Sequence, residues 1–225
     1  YMQAFVEPLK ELAEFEEIQK EKKKQKGMIQ IAGCVSSQKT HLMYALGDDS
    51  TYRVIAVSSE AKAKQIYEEY KFLDEKVYYY PPKDLLFYQA DLRGKALVKE
   101  RVEVIQALLT EKEVTVITEF DGFMDSLLPL KKIKERIFTL KVGDTVDFDS
   151  LKEKVAALGY DREVQIDSMG QFSVRGGIID IYPLTEEVPI RIEFWDDEID
   201  SIRTFDVESQ RSIENLDEVV IYPAT

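Results

Sequence analysis

The chain changes rhythm near Arg136, and that change limits its fold more than any other feature. Before it, short apolar runs alternate with amphipathic stretches. After it, short β-like runs follow one another with turns between them. The spacing predicts strands at Met28–Ala32, Arg53–Val57, Lys76–Tyr80 and Val114–Thr118. It predicts helices from the loop after Ala32 to about Leu46, over Ser59–Leu73 and over Gly94–Leu109. Such alternation builds a mostly parallel sheet with helices on both faces. Ahead of it, Phe5, Leu9, Leu12, Phe15 and Ile18 predict one helix within residues 1–26. The lysine-rich run Lys20 to Lys26 suits the negative end of that helix, and Gly27 stops it.

Beyond Arg136 the pattern predicts a strand at Ile137–Val142 and a helix at Phe148–Leu158. Asp147 or Asp149 caps that helix and Gly159 ends it. Further strands follow at Gln171–Val174, Gly177–Tyr182, Ile190–Trp195, Ile199–Asp206 and Val219–Tyr222. These make a small α+β module with an antiparallel sheet. The expected division is therefore residues 1–136, an α/β domain, and residues 137–225, the α+β domain. Charge supports a boundary in this region. Residues 1–142 hold 23 acids and 23 bases, whereas residues 143–225 hold 20 acids and 7 bases. The net charge of −13 thus lies wholly in the second part.

The same counts exclude several functions. Cys34 and His41 are the only residues of their kinds, so a disulfide framework, a Cys-rich zinc site and a His-rich metal site are ruled out. No apolar run is long enough to span a bilayer and the opening residues do not read as a signal peptide, so the expected setting is the cytoplasm, without a membrane partner. Strong acidity argues against broad nonspecific nucleic-acid binding.

The loop Gly33-Cys34-Val35-Ser36-Ser37-Gln38-Lys39-Thr40 sits where a phosphate loop belongs, between a predicted strand and a predicted helix. Gly33, Lys39 and Thr40 fit the pattern G-x-x-x-x-G-K-[ST], but Gln38 replaces the second glycine. That glycine lets backbone N–H groups curl around a phosphate, and a long amide resists the curl. The strand Val114–Thr118 also lacks the Mg²⁺-holding Asp form, offering only Glu119. The expectation is a degenerate P-loop with no catalytic residue, no metal and no bound cofactor. A small ATPase using Lys39 and Thr40 is the competing reading. Cys34 and His41 read as a packed residue and a helix-face residue.

The run Gly170-Gln171-Phe172-Ser173-Val174-Arg175-Gly176-Gly177-Ile178-Ile179-Asp180-Ile181-Tyr182-Pro183 resembles a motif shared by two bacterial repair families, the excision helicase UvrB and the transcription-repair coupling factors (Mfd). The stretch Ile190 to Asp206 resembles both as well. The degenerate loop favours the second family. So does the short passage from Tyr80-Pro81-Pro82 through Tyr88-Gln89-Ala90-Asp91 to the helix at Gly94, which leaves no room for UvrB's DNA-separating hairpin. The run Asp206 to Ser212 is also nearer that family's form.

The resemblance implies a RecA/P-loop-like first domain without catalytic competence and a second module that recruits UvrA. It implies an N-terminal fragment of a protein that displaces lesion-stalled RNA polymerase by ATP-dependent translocation on double-stranded DNA. ATP, Mg, RNA polymerase and DNA would then belong to other domains, which also mask the UvrA surface at rest. A UvrB-type damage-binding module is a further alternative. By resemblance, Arg162, Arg175, Arg191 and Glu193 fall at UvrA-contacting positions, with Phe172 as an apolar anchor beside them. Arginine suits interfaces because its planar fork makes paired hydrogen bonds. UvrB often has a further arginine where Ser173 stands. Strand alternation puts Arg191 and Glu193 on one side, and separates Phe172 and Val174 from Ser173 and Arg175. Arg203 reads as an internal ion-pair residue, Trp195 as partly buried, and Tyr78-Tyr79-Tyr80 as packing residues.

Overall fold

The computed structural model describes residues 3–24, 27–47, 50–83, 92–125, 127 and 129–224. They group into two compact units: residues 1–80 with 111–124, and residues 81–110 with 125–225. The grouping is interleaved along the chain, unlike the linear division at residues 136/137. The passage through Tyr88-Gln89-Ala90-Asp91, expected to carry no hairpin, lies outside the described residues.

The first unit is built on a three-stranded parallel sheet, β1 (Tyr52–Val57), β2 (Val77–Tyr80) and β3 (Val114–Glu119), in the order β1-β3-β2. Tyr52 pairs with Val114, and Val77 with Thr115. The central strand reads Val-Thr-Val-Ile-Thr and is buried throughout, as a strand flanked on both sides must be. The helix Glu60–Lys71 makes the crossover from β1 to β2, with the Ser59 side chain accepting from Lys62 N–H at its start. Its Ala63 and Tyr70 are buried with Ile117, Val77 and Tyr79, and Tyr70 meets Tyr44 edge-on at 5.8 Å.

Two expectations for this unit change. The single helix within residues 1–26 is two, Gln3–Lys10 and Ala13–Lys23, because Leu12 takes an extended conformation (φ −83°, ψ 124°). The apolar spacing runs on through the break and so does not register it. Met28–Ala32 is not a strand; Met28, Ile29 and Ile31 are exposed, and among the described residues β1, β2 and β3 pair only with one another. Alternating apolar residues make a strand only where another strand offers its backbone.

The second unit holds a six-stranded sheet in the order β10-β9-β8-β7-β6-β5. Its strands are β5 (Asp161–Glu163), β6 (Gln171–Arg175), β7 (Ile178–Ile181), β8 (Ile190–Trp195), β9 (Glu198–Phe205) and β10 (Ser212–Leu216). All neighbours are antiparallel except β5 and β6, which are parallel, so the sheet is mixed rather than purely antiparallel. A small antiparallel pair joins β4 (Phe138–Lys141) to β11 (Glu218–Ile221).

The helix Phe148–Ala157 is capped by Asp147, whose Oδ1 accepts from Ser150 N–H at 2.7 Å. The chain leaves it through Gly159 at φ 93°, which favours glycine. Leu151 and Val155 of this helix lie in one core with Phe172, Ile179, Ile181, Ile190, Ile192 and Ile202 from the sheet. Val102, from the helix Leu92–Thr110, joins the same core. Tyr160 is buried beside them and donates to the Tyr222 carbonyl at 2.9 Å; burial pushes its phenol pKa up, followed by the charge of Glu186.

Candidate protein-interaction site

One face of the six-stranded sheet is the core, so the opposite face carries what the strands offer outward. Asp180 on β7 stands directly opposite Arg191 on β8. Arg191 donates from Nε to Asp180 Oδ1 at 2.7 Å and from Nη2 to Oδ2 at 2.9 Å. The same Nη2 reaches Gln210 Oε1 at 2.9 Å, and the guanidinium lies over the Phe205 ring at 4.2 Å. Arg175, across the β6–β7 turn, donates from Nη2 to Asp180 Oδ2 at 3.1 Å. One carboxylate thus holds two arginines.

Burial makes this arrangement stiff. Asp180 is 2% exposed and Arg191 9% exposed, while Arg175 is about half exposed. The Asp180 hydrogen bonds raise the Arg191 pKa further above its usual range, against a smaller desolvation effect. A buried carboxylate must be fully hydrogen-bonded, and this one accepts three bonds from guanidinium groups. Next along β8, Glu193 takes a bond from Arg203 and another from Ser201 Oγ at 3.2 Å. The internal ion pair expected for Arg203 is therefore present.

The other expected residues separate. Phe172 is 1% exposed and lies in the core, on the side away from Arg175. It backs the strand and does not present an apolar anchor at the surface. Arg162 is exposed on the edge strand β5, and the register sets it opposite Phe172, not opposite Ser173. Paired residues share a face, so Arg162 stands apart from Arg175, Arg191 and Glu193. Ser173 is buried with no hydrogen-bond partner for its hydroxyl among the described residues.

The loop at residues 33–40 differs from a phosphate cradle in its own way. No strand precedes it. Gly33 has φ 90°, and the helix Ser36–Gly47 follows. The Gln38 side-chain oxygen accepts from Val35 N–H at 3.4 Å, turning back on the loop. Thr40 is buried and donates to Glu69 Oε2 at 2.5 Å. That bond, with a second from Gln65, holds the Glu69 carboxyl below its usual pKa. Lys39 is exposed. Among the described residues no cluster of His, Cys, Asp and Glu is placed to hold a metal ion, and no helix is long and apolar enough to cross a membrane.

Residues 138–225 match the family model of the UvrB interaction domain. The chain is 42% identical over 152 residues to the transcription-repair-coupling factor of Staphylococcus epidermidis, a match covering 68% of this chain and 13% of the relative. The Staphylococcus aureus protein of the same name is 42% identical over 156 residues, covering 69% and 13%. The chain belongs to the transcription-repair-coupling factor family. Its match spans about an eighth of the length of these curated relatives.

Every member of the polar sheet face described above falls inside the UvrB interaction domain of this family member. Two of its features escaped the sequence reading. Asp180 was visible only as the acid of a motif, although its place opposite Arg191 follows from pairing β7 with β8. Trp195, expected to be partly buried, is 81% exposed. Strand alternation could have found it, since Phe194 faces the core against Phe148 and Trp195 must then face away.

Proposed function

We propose that residues 137–225 recruit UvrA, using the face of the six-stranded sheet that carries Arg175, Arg191 and Glu193. The observation that carries this reading is the buried Asp180 holding two arginines in place within the segment matched as a UvrB interaction domain. Arginines fixed before binding lose little entropy when a partner arrives, which is what an interface needs. Arg175 keeps about half of its side chain in solvent and is the residue best placed to make new bonds.

In this reading the loop at Gly33, Gln38, Lys39 and Thr40 performs no nucleotide chemistry and the first unit is not catalytic. The committed hydroxyl of Thr40 supports that view. The full-length protein would use regions beyond the matched part to displace stalled RNA polymerase by ATP-driven translocation on DNA, and would mask the UvrA surface until needed.

The test is a UvrA pull-down with the parent chain, Arg175→Ala, Arg175→Glu and Arg191→Ala, each checked by thermal melting. Arg175→Glu reverses the charge of a half-exposed residue and should abolish binding with the fold intact. Folded Arg175 and Arg191 variants that bind UvrA as the parent does would show the reading to be wrong.

A further inference from the structure

Phe172 leaves the proposed surface without the apolar anchor that such interfaces use, and a different residue stands in the right place. The β8–β9 register shifts between Glu193 and Phe194, where β9 carries the extra residue Asp200, while β8 itself runs on without an insertion. Glu193 bonds Ser201 and Arg203 on the outward face, Phe194 packs on Phe148 with ring centroids 5.0 Å apart, and Trp195 follows on the side away from that contact. Trp195 is therefore on the side of Glu193 and Arg191. It is 81% exposed at the end of β8, still paired with β9, and not on a loose loop.

Neighbouring backbone fixes its position. Trp195 pairs with Glu198 across a two-residue turn, Asp196–Asp197, with Asp196 at φ 56°. The N–H of Phe194 donates to the Gly177 carbonyl at 2.8 Å, so this turn lies beside the one that follows Arg175. The two approach so closely that a Cβ on Gly177 would stand 3.0 Å from the Phe194 carbonyl oxygen. Only glycine accepts that contact without displacement.

We propose that Trp195 is the apolar anchor of the partner surface, seated on binding in a notch of UvrA that offers a lysine or arginine to the ring. The inference rests on the UvrA reading above. Tryptophan is the residue most enriched where interfaces concentrate their binding energy, and two side-chain torsions make it inexpensive to order. An isolated exposed apolar residue needs no explanation, and Met28 and Phe72 of the other unit are such cases. Trp195 differs because it continues an arginine-bearing face. The acids Asp196, Asp197 and Glu198 follow it directly, so the local field favours a cationic partner over the indole face.

The chain contains one tryptophan, which makes the test specific. The 225-residue chain labelled with 5-fluorotryptophan gives a single fluorine resonance, whatever tryptophans UvrA contains. Titrating UvrA should shift and broaden that resonance. Trp195→Ala should weaken binding about 30-fold without changing the melting temperature, and Trp195→Phe should recover most of the loss. Asp196→Asn with Asp197→Asn should weaken binding and flatten its salt dependence; unchanged binding would remove the cationic notch. If UvrA binds while the resonance stays in place, or if Trp195→Ala binds as the parent does, the anchor role is overturned and UvrA recruitment stands. If the parent chain does not bind UvrA, both are overturned.

Discussion

Arg191 and Asp180 face each other on adjacent strands and share two hydrogen bonds, at 2.7 and 2.9 Å, in a site almost closed to water. Arg175 adds a third bond to the same carboxylate from a position half in solvent. The two arginines thus differ in what their loss should do.

Removing the shared acid is the severe change. Asp180→Ala leaves the buried Arg191 charge with only Gln210 as a hydrogen-bonding partner among the described residues. Breaking one side of a buried ion pair costs about 3–5 kcal/mol. Equilibrium urea unfolding should show a loss of that size, together with loss of UvrA binding. A midpoint equal to the parent's would contradict the structural weight given to Asp180.

Arg175→Ala should cost about 1 kcal/mol, because Arg175 is half in solvent and the buried Asp180 keeps both of its bonds from Arg191. Its effect should appear in binding instead. Urea unfolding and a UvrA titration on the same preparation separate the two, and a variant that unfolds early but binds normally would reverse the assignment.

The Thr40–Glu69 bond predicts a pH dependence. The Thr40 hydroxyl is the main cause of the lowered Glu69 pKa. A carboxyl with a lowered folded pKa contributes stability above its unfolded value and loses it as pH falls through the folded value. Thr40→Val should therefore be less stable than the parent by about 1 kcal/mol at pH 7. The gap should narrow below the ordinary Glu value of 4.5. Melting curves of both proteins from pH 7 down to about 3 check this, and a gap independent of pH would detach Thr40 from Glu69.

Mg-ATP should leave the melting temperature of the parent chain unchanged, and Lys39→Ala should behave identically. A ligand that binds only the folded state raises stability with its concentration. A Mg²⁺-dependent rise that disappears in Lys39→Ala would restore the loop as a nucleotide site.

Asp147→Ala should lose about 1 kcal/mol, because the cap bond to Ser150 N–H at 2.7 Å would go unmade. Chemical denaturation measures it directly. Residue type alone offers Asp147 or Asp149 as the cap, and the bond to Ser150 N–H selects Asp147.

The legible parts of this protein are those where one residue's neighbours settle its side. Alternation separated Phe172 and Val174 from Ser173 and Arg175 because half of β6 is apolar. The helix start at Asp147 or Asp149, which proves to be Asp147, and the stop at Gly159 carry local chemistry that needs no tertiary knowledge. Harder parts depend on a neighbour far along the chain. β5 is three exposed polar residues, and β10 reads Ser-Ile-Glu-Asn-Leu with almost every residue exposed, so neither has an apolar pattern. Met28–Ala32 has the pattern but no partner strand among those described. In the candidate site, residue types identified the arginines by resemblance. Only strand register shows that Arg162 stands apart and that Asp180 joins two others.

The interleaved grouping has a consequence for taking this protein apart. The chain passes between its two compact units at residues 80/81, 110/111 and 124/125. No single scission releases either one whole. A clone starting at residue 137 would discard the helix Leu92–Thr110, and with it Val102 from the core that backs the arginine face. It would also lose the Arg101–Asp125 ion pair at 2.8 Å. A separable second unit would have to be sewn from two stretches, 81–110 and 125–225, by a new linker.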